Sequence, residues 1–102
     1  MFTVAFSEEA VEDLDIALEY YRNISLALCE KFIKNFDETT LQLENIPYFQ
    51  IRYDEMRLRK IKKFPVILHF TINSNKTVIV HGVRFAQQNP ENFLKFNSQN
   101  NQ

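Results

Sequence analysis

The clearest pattern of apolar and polar positions runs from residue 64 to residue 72. Every second residue in it is apolar: Phe64, Val66, Leu68, Phe70 and Ile72. Successive side chains of a strand point to opposite faces, so these residues share one face of a predicted strand. The pattern puts His69 on the other face of that strand.

Two further strands are predicted around this one. The segment 57–63 precedes it and is strongly basic, and the segment 77–84 follows it and is rich in Val and Ile. Asn and Ser tolerate tight-turn backbone angles, so Asn73 to Asn75 is expected to close a hairpin. We therefore predict a three-stranded antiparallel meander.

The upstream half predicts a short strand over residues 2–6 and then two helices. Ser7 suits the N-cap of a helix over residues 8–22, and Ser25 suits that of a helix ending near residue 44. Pro47 disfavours helical geometry just before it and ends the second helix. The expected apolar stripes are Ala10, Val11, Leu14, Ala17, Leu18 and Tyr21 on the first helix, and Cys29, Phe32, Ile33, Phe36, Thr39, Thr40 and Leu43 on the second. The short break between them favours an antiparallel helical hairpin.

The remaining segments complete one small domain. Residues 48–55 are expected to form a connection with some strand character, and Pro90 is expected to open a short terminal helix ending near Phe96. The Asn- and Gln-rich segment 97–102 is expected to be a disordered tail. The predicted order is β-α-α-β-β-β with a short C-terminal helix. We predict an α+β fold of two layers over residues 1–96, with an antiparallel sheet covered by the helical hairpin.

Composition agrees with one small domain and narrows its location. The chain has 102 residues, of which 45% are hydrophobic, and its ten Phe and absence of Trp predict a Phe-rich core. One cysteine, Cys29, permits no internal disulfide, and its place on an apolar stripe indicates a core residue. No signal sequence or membrane-spanning run is recognised, so we expect a cytoplasmic protein without membrane contact.

The formal net charge of -1 hides an uneven distribution. Acidic residues are concentrated in the first helix, and basic residues are concentrated in the strand before Phe64. The candidate contact residues are Arg57, Arg59, Lys60, Lys62, Lys63 and, at the end of the last strand, Arg84. Such residues favour an anionic or acidic partner, although lysines along a sheet edge also deter aggregation.

The two histidines, His69 and His81, are interpreted as structural or surface residues. Neither has Cys or carboxylate neighbours at a spacing typical of a metal site. We therefore expect no metal and no cofactor.

Several segments in this order resemble the RelE/ParE family of bacterial toxins from type II toxin–antitoxin modules. The similar segments are 6–14 (Phe-Ser-Glu-Glu-Ala-Val-Glu-Asp-Leu), Tyr20-Tyr21, 43–47 (Leu-Glu-Asn-Ile-Pro), Arg57 with 62–67 (Lys-Lys-Phe-Pro-Val-Ile), and 89–93 (Asn-Pro-Glu-Asn-Phe). Each motif is weak alone, but their order and spacing cover nearly the whole chain.

The resemblance implies a toxin that regulates growth or stabilises plasmids and is neutralised by a cognate antitoxin wrapped around it. RelE-like members cleave mRNA on the ribosome, and ParE-like members poison DNA gyrase. An antitoxin groove is expected along the helical hairpin, with Tyr20, Tyr21 and Phe36 as its candidates. The assembly stays open between a homodimer and a heterotetramer with the antitoxin.

The residues favour the ParE-like branch. The arginine that RelE-like nucleases carry at the start of the middle strand falls here near Phe64 and Pro65, and their C-terminal Tyr falls at Phe93 or Phe96. Phe and Pro supply neither a base nor a proton donor. We predict a non-enzymatic inhibitor of gyrase. The alternatives are an mRNA endonuclease, which would hold RNA with Lys60, Lys62, Lys63 and Arg84, and an inactive member that only binds its antitoxin.

Overall fold

The computed structural model describes residues 1–86. In chain order its elements are β1 (Thr3–Phe6), α1 (Glu8–Ile24), α2 (Leu26–Asn45), β2 (Ile51–Tyr53), β3 (Met56–Lys60), β4 (Val66–Ile72) and β5 (Thr77–Phe85). The predicted α+β architecture is confirmed. The predicted terminal helix and the tail 97–102 lie outside the described residues.

The strands form one sheet in the order β1-β5-β4-β3-β2. Strands β2 to β5 form the antiparallel meander, with β2 as an additional strand in the predicted connection. The first strand differs from the prediction of an all-antiparallel sheet, because β1 pairs with β5 in parallel. The alternation of apolar and polar residues shows which side chains of a strand face the core. The same alternation fits a parallel and an antiparallel strand, so it could not predict the direction of β1.

Both predicted N-caps are confirmed. The Ser7 hydroxyl accepts a hydrogen bond from the Ala10 backbone N–H at 3.1 Å, and the Ser25 hydroxyl accepts one from Leu28 N–H at 2.9 Å. Each bond satisfies an N–H that the first turn of a helix leaves unpaired. Helix α2 ends at Asn45, two residues before Pro47.

The core lies between the helical hairpin and one face of the sheet. Val66, Leu68 and Phe70 are fully buried on this helix-covered face, as the alternation predicted. Phe32 of α2 packs against Tyr21 and Phe64, with ring centroids 5.0 and 5.1 Å away. The opposite face carries Ile67, His69 and Thr71 of β4, which are half-buried. We call it the open face.

Two expected core residues are exposed instead. Val11 of α1 is 46% exposed and Ile33 of α2 is 41% exposed. The buried stripe of α1 contains Ala10 and Ala17, and one helical residue is a rotation of about 100°, so Val11 points away from it. Both predicted stripes were therefore too wide.

A turn precedes β5 and a bulge interrupts it. The Asn73 side-chain oxygen accepts hydrogen bonds from the N–H groups of Asn75 and Thr77, at 3.0 and 3.1 Å, which confirms the predicted hairpin. Further along β5 the register with β4 shifts between His69 and Phe70, and His81 is the extra residue of this bulge.

None of the described helices combines the length and the apolar character that crossing a membrane requires.

Candidate functional site

The basic residues predicted as one contact surface lie on both faces of the sheet. Arg57 and Arg59 of β3 stand opposite Phe70 and Leu68 of β4, so their side chains belong to the helix-covered face. Lys60 stands opposite Ile67 and belongs to the open face. Because successive strand residues alternate, a run of basic residues in one strand cannot form a single patch.

The two arginines make structural contacts at the end of α2. Arg57 donates from Nε to the backbone oxygen of Phe49 at 2.7 Å. Arg59 donates from Nε and Nη2 to Gln42 Oε1, at 3.2 and 3.1 Å, and its guanidinium lies 4.6 Å from the centroid of the Phe49 ring. These contacts fasten the segment between α2 and β2 to the sheet.

The lysines of the turn between β3 and β4 lie beside α2. The Asn35 side chain is buried and donates from Nδ2 to the backbone oxygen of Lys62 at 2.9 Å, which ties the turn to the helix. Lys63 adopts a left-handed φ of 68°. Lys31 and Lys34 of α2 line a cleft with Lys63. Sequence analysis missed these two helical lysines, whose proximity to the turn depends on how the helix packs.

On the open face, a basic pair flanks Ile67. Lys60 of β3 is its neighbour on one side and Arg84 of β5 is its neighbour on the other. Of the predicted contact residues, Lys60 and Arg84 are therefore the two that the described strands present together on this face. Both side chains are exposed.

Two histidine pairs lie on the same face. His69 Nδ1 and the Tyr53 hydroxyl are 2.9 Å apart, and His81 Nε2 and the Thr71 hydroxyl are also 2.9 Å apart. The pKa of His69 lies below its usual 6.5 because burial disfavours the charged ring and Arg84 repels added positive charge, whereas Asp13 acts in the opposite direction. The His69 ring is therefore held neutral at neutral pH. Sequence analysis gave no role to Tyr53 or Thr71.

The three residues predicted to form an antitoxin groove differ in their exposure to solvent. Tyr21 and Phe36 are 5% and 8% exposed and belong to the core. Burial also raises the pKa of the Tyr21 hydroxyl above its usual value of 10, with a further contribution from Tyr20. Tyr20 is 53% exposed and packs its ring against Phe85, with centroids 5.4 Å apart. Only Tyr20 of the three presents a large surface to a partner in this conformation.

A cleft lies where the flank of α1 meets the end of β5. It is lined by Asp13, Ile16, Val83, Arg84 and Phe85. Strand β1 pairs with β5 only from Thr77 to Val80, so the rest of β5 has no strand partner on this side among residues 1–86. Ile16 and Ile24, which lie on the same flank of α1 as Tyr20, are 64% and 57% exposed. The cleft thus combines exposed apolar side chains with an open sheet edge.

Asp13 links α1 to this end of β5. Its Oδ2 accepts a hydrogen bond from the Val83 backbone N–H at 3.1 Å and lies 3.7 Å from Arg84 Nε. The sequence placed acidic residues on the first helix, but this contact of Asp13 was not predicted from it. A signal existed, because Asp13 lies three residues after Ala10 and four before Ala17 and so borders the buried stripe.

Metal ligands do not gather in the described part of the chain. Among residues 1–86 no group of three or more His, Cys, Asp or Glu side chains could hold a metal ion. Cys29 is a buried free thiol, as predicted.

Comparison with known proteins identifies the fold. No family model matches the chain, and no curated protein matches it. A chain of the chromosomal ParDE TA system from P. aeruginosa aligns with a TM-score of 0.71 at 14% identity, over 85% of this chain and 98% of that one. The isolated E. coli RelE toxin aligns with a TM-score of 0.55 at 14% identity, over 94% and 96%.

These neighbours define the fold of the chain. The first comes from a toxin–antitoxin system and the second is a toxin, and each aligns with most of this chain. The chain has the RelE/ParE fold, and the predicted fold is confirmed.

Proposed function

We propose that this chain is the toxin component of a type II toxin–antitoxin module and that it acts by binding its target. The fold supports this proposal, because one of the two solved structures described above comes from a toxin–antitoxin system and the other is a toxin. Fold alone does not specify function, so the exposed surfaces of the chain have to distinguish a ParE-like from a RelE-like toxin.

A ParE-like toxin that inhibits DNA gyrase is the best-supported form of the proposal. The ParDE chain is the more similar of the two neighbours. Arg57 and Arg59 are engaged with Phe49 and Gln42, which leaves the open face with only a small part of the basic run. A nuclease surface would concentrate cations around the RNA backbone. The proposed target places the protein in the cytoplasm, as a regulator of growth or a plasmid-stabilisation factor.

The cleft beside α1 is the proposed antitoxin site. The exposed side chain of Ile16 lines it, and the exposed Tyr20 lies on the same flank of α1. Next to them the end of β5 lacks a strand partner among residues 1–86. A partner segment could add to this edge as a strand and place apolar side chains on α1, which is a common mode of peptide recognition. We propose that the cognate antitoxin binds this way, within a heterotetramer or on a homodimeric toxin.

The first experiment expresses the chain in bacteria and measures growth, plasmid supercoiling and protein synthesis separately. Growth should stop, supercoiling should fall first, and co-expression of the product of the adjacent reading frame should restore growth. Purified gyrase that supercoils DNA normally in the presence of excess protein would refute the gyrase target. Unaffected growth at high soluble expression would leave the inactive, antitoxin-binding form instead.

The antitoxin site is tested with a matched pair of variants on α1. Ile16→Asp places a charge in the cleft, whereas Val11→Asp places one on the other flank, at a residue that is also exposed. A buried unpaired carboxylate is costly, so neutralisation by the adjacent product should fail for Ile16→Asp and persist for Val11→Asp. Equal neutralisation of both variants would exclude this cleft. The mass of the purified complex distinguishes the two proposed assemblies.

An mRNA endonuclease is the second candidate, and one observation favours it. The open face carries a neutral histidine, His69, whose Nδ1 lies 2.9 Å from the Tyr53 hydroxyl and whose ring is acted on by the positive charge of Arg84. In RNA cleavage the 2′-oxygen attacks phosphorus and the 5′-oxygen leaves, so one group must take the 2′ proton and another must protonate the leaving group. Neutral His69 suits the first task, and the Tyr53 hydroxyl, 2.9 Å from His69 Nδ1, is the proton donor for the leaving 5′-oxygen. Arg84 suits stabilisation of the charge on phosphate.

The mRNA fragments produced during expression and one substitution distinguish the nuclease from the contact inhibitor. It predicts codon-phased breaks in mRNA during expression, and their loss in His69→Ala with growth restored. Arg22→Ala, at an exposed basic residue in the last turn of α1, is the control and should leave the breaks unchanged. Intact mRNA during growth arrest would refute the nuclease and leave the contact inhibitor.

A further inference from the structure

Gly82 is the only glycine of the chain, and it lies in the middle of β5. Its φ is not positive, so backbone freedom does not explain it. A Cβ at this position would lie 3.0 Å from Arg84 Nε, 3.4 Å from Arg84 Nη2 and 3.4 Å from Asp13 Oδ2. The missing side chain therefore leaves room for a guanidinium and a carboxylate above the sheet.

Asp13 is fixed in this space by the backbone. Val83 is buried, and its backbone N–H lies beyond the end of β1. Because no carbonyl of β1 reaches it, this N–H needs another hydrogen-bond acceptor. Asp13 Oδ2 supplies that acceptor at 3.1 Å. The same oxygen lies 3.7 Å from Arg84 Nε, so the carboxylate that completes the strand edge also orients the arginine.

The arginine is thereby placed beside His69. Gly82 is the cross-strand neighbour of His69, and the guanidinium lies against Gly82. Arg84 and Asp13 both act on the charge of the His69 ring, in opposite directions, which agrees with their closeness. The Arg84 side chain is nevertheless 57% exposed, so its outer nitrogens stay available to a partner.

We propose that Gly82 and Asp13 are positioning residues that hold the Arg84 guanidinium over the open face, as the contact for an anionic group of the target. The inference deepens the proposed function and rests on it, because it assumes that the open face meets the target. A guanidinium held in advance loses less freedom on binding than a free side chain does. Asp13 Oδ2 lies 3.7 Å from Arg84 Nε, beyond hydrogen-bond distance, so the carboxylate pairs with the guanidinium by charge alone.

The decisive variant is Gly82→Ala. The added methyl meets the end of a flexible side chain at its closest contact, so the guanidinium moves and the fold is kept. Arg84→Ala shows the full effect of losing the arginine, and Arg84→Lys keeps the charge but lacks Nε. Asp13→Asn keeps an acceptor for Val83 N–H and removes the negative charge.

Two readouts follow, and the first does not depend on the target. NMR titration of the His69 ring should give a higher pKa in Gly82→Ala, moving toward that of Arg84→Ala, because a cation has moved away. In Asp13→Asn the loss of the neighbouring negative charge lowers the pKa of His69, whereas a displaced guanidinium raises it, so this variant is read by target inhibition, which should weaken. Target inhibition should weaken about tenfold in Gly82→Ala and in Arg84→Lys, equivalent to about 1.4 kcal/mol.

The outcomes separate this inference from the proposed function. A His69 pKa that is unchanged in Gly82→Ala overturns the positioning role, whatever the variant does to growth. A raised pKa with unchanged inhibition means that Arg84 is held in place but does not contact the target, and this also overturns the proposal. If the unmodified protein inhibits nothing, the proposed function fails while the titration still reports on positioning.

Discussion

Arg57 is expected to stabilise the fold, although its sequence context marks it as a contact residue. Its Nε–H donates to the Phe49 backbone oxygen at 2.7 Å in a half-buried position. Arg57→Ala removes this donor and leaves a carbonyl in the connection between α2 and β2 without its partner. The same connection is held by Arg59, whose guanidinium lies over the Phe49 ring.

The size of the effect follows from the kind of bond. A buried hydrogen bond to a charged group contributes about 1.5–3 kcal/mol, and partial exposure reduces the contribution of this one to about 1–2 kcal/mol. For a domain of this size such a loss lowers the melting temperature by roughly 4–16 °C. Arg59→Ala should cost less, about 0.5–1 kcal/mol, because cation–π contacts at exposed sites are weak.

Urea unfolding followed by circular dichroism measures these differences as shifts in the midpoint. Arg57→Lys is the informative companion, because it keeps the charge and loses Nε, and it should recover little of the loss. Lys60→Ala is the matched control from the same strand. Its side chain is exposed, so the change in free energy of unfolding should stay within about 0.5 kcal/mol.

The result that would refute this reasoning is simple to recognise. If Arg57→Ala unfolds at the same urea concentration as the unmodified protein and yet no longer arrests growth, Arg57 contacts the target. A loss of stability with growth arrest retained at permissive temperature would support the structural role.

Three further predictions test the packing and the electrostatics. Phe32→Ala should cost about 3–5 kcal/mol because this fully buried ring fills the core, whereas Val11→Ala should cost under about 0.5 kcal/mol; urea midpoints compare them. Asn35→Ala should cost about 1–2 kcal/mol by leaving the Lys62 carbonyl unpaired, measured against Lys34→Ala on the exposed side of α2. The pKa of His69 is lowered by folding, so the unfolded chain binds a proton that the folded chain does not. Stability should therefore fall as pH drops below about 6.5, and His69→Asn should remove that part of the loss.

The elements of the fold could be predicted wherever periodicity and local chemistry agreed. Alternation in β4 identified the buried face correctly, and Ser7 and Ser25 cap the helices they were expected to cap. Both signals are local, because a strand face and an N-cap are set by residues within one turn or one pleat. The parallel direction of β1 is set by distant pairing with β5, and no local pattern records it.

The candidate site was harder to predict, because charge was counted along the strand instead of by face. Arg57 and Arg59 share the phase of the buried residues of β4, and Lys60 has the opposite phase. Applying the alternation of β4 to β3 would have separated them, since antiparallel neighbours keep one face in register. The long side chains of the two arginines tolerate the helix-covered face because it ends near Phe49, where the guanidinium groups reach carbonyl and amide oxygens.

Gly82 shows why the sequence alone could not bring the remaining residues of the site together. A glycine within a strand usually indicates a bulge or a close approach, and here both are present, because the register shifts beside it and two charged groups lie above it. The group that explains the close approach, Asp13, belongs to α1 and reaches β5 only after the helices have packed. The acidic face of α1 and the end of β5 therefore acquire their roles together. A substitution at either Asp13 or Gly82 is expected to act through Arg84, which is why their effects on Arg84-dependent readouts should not be additive.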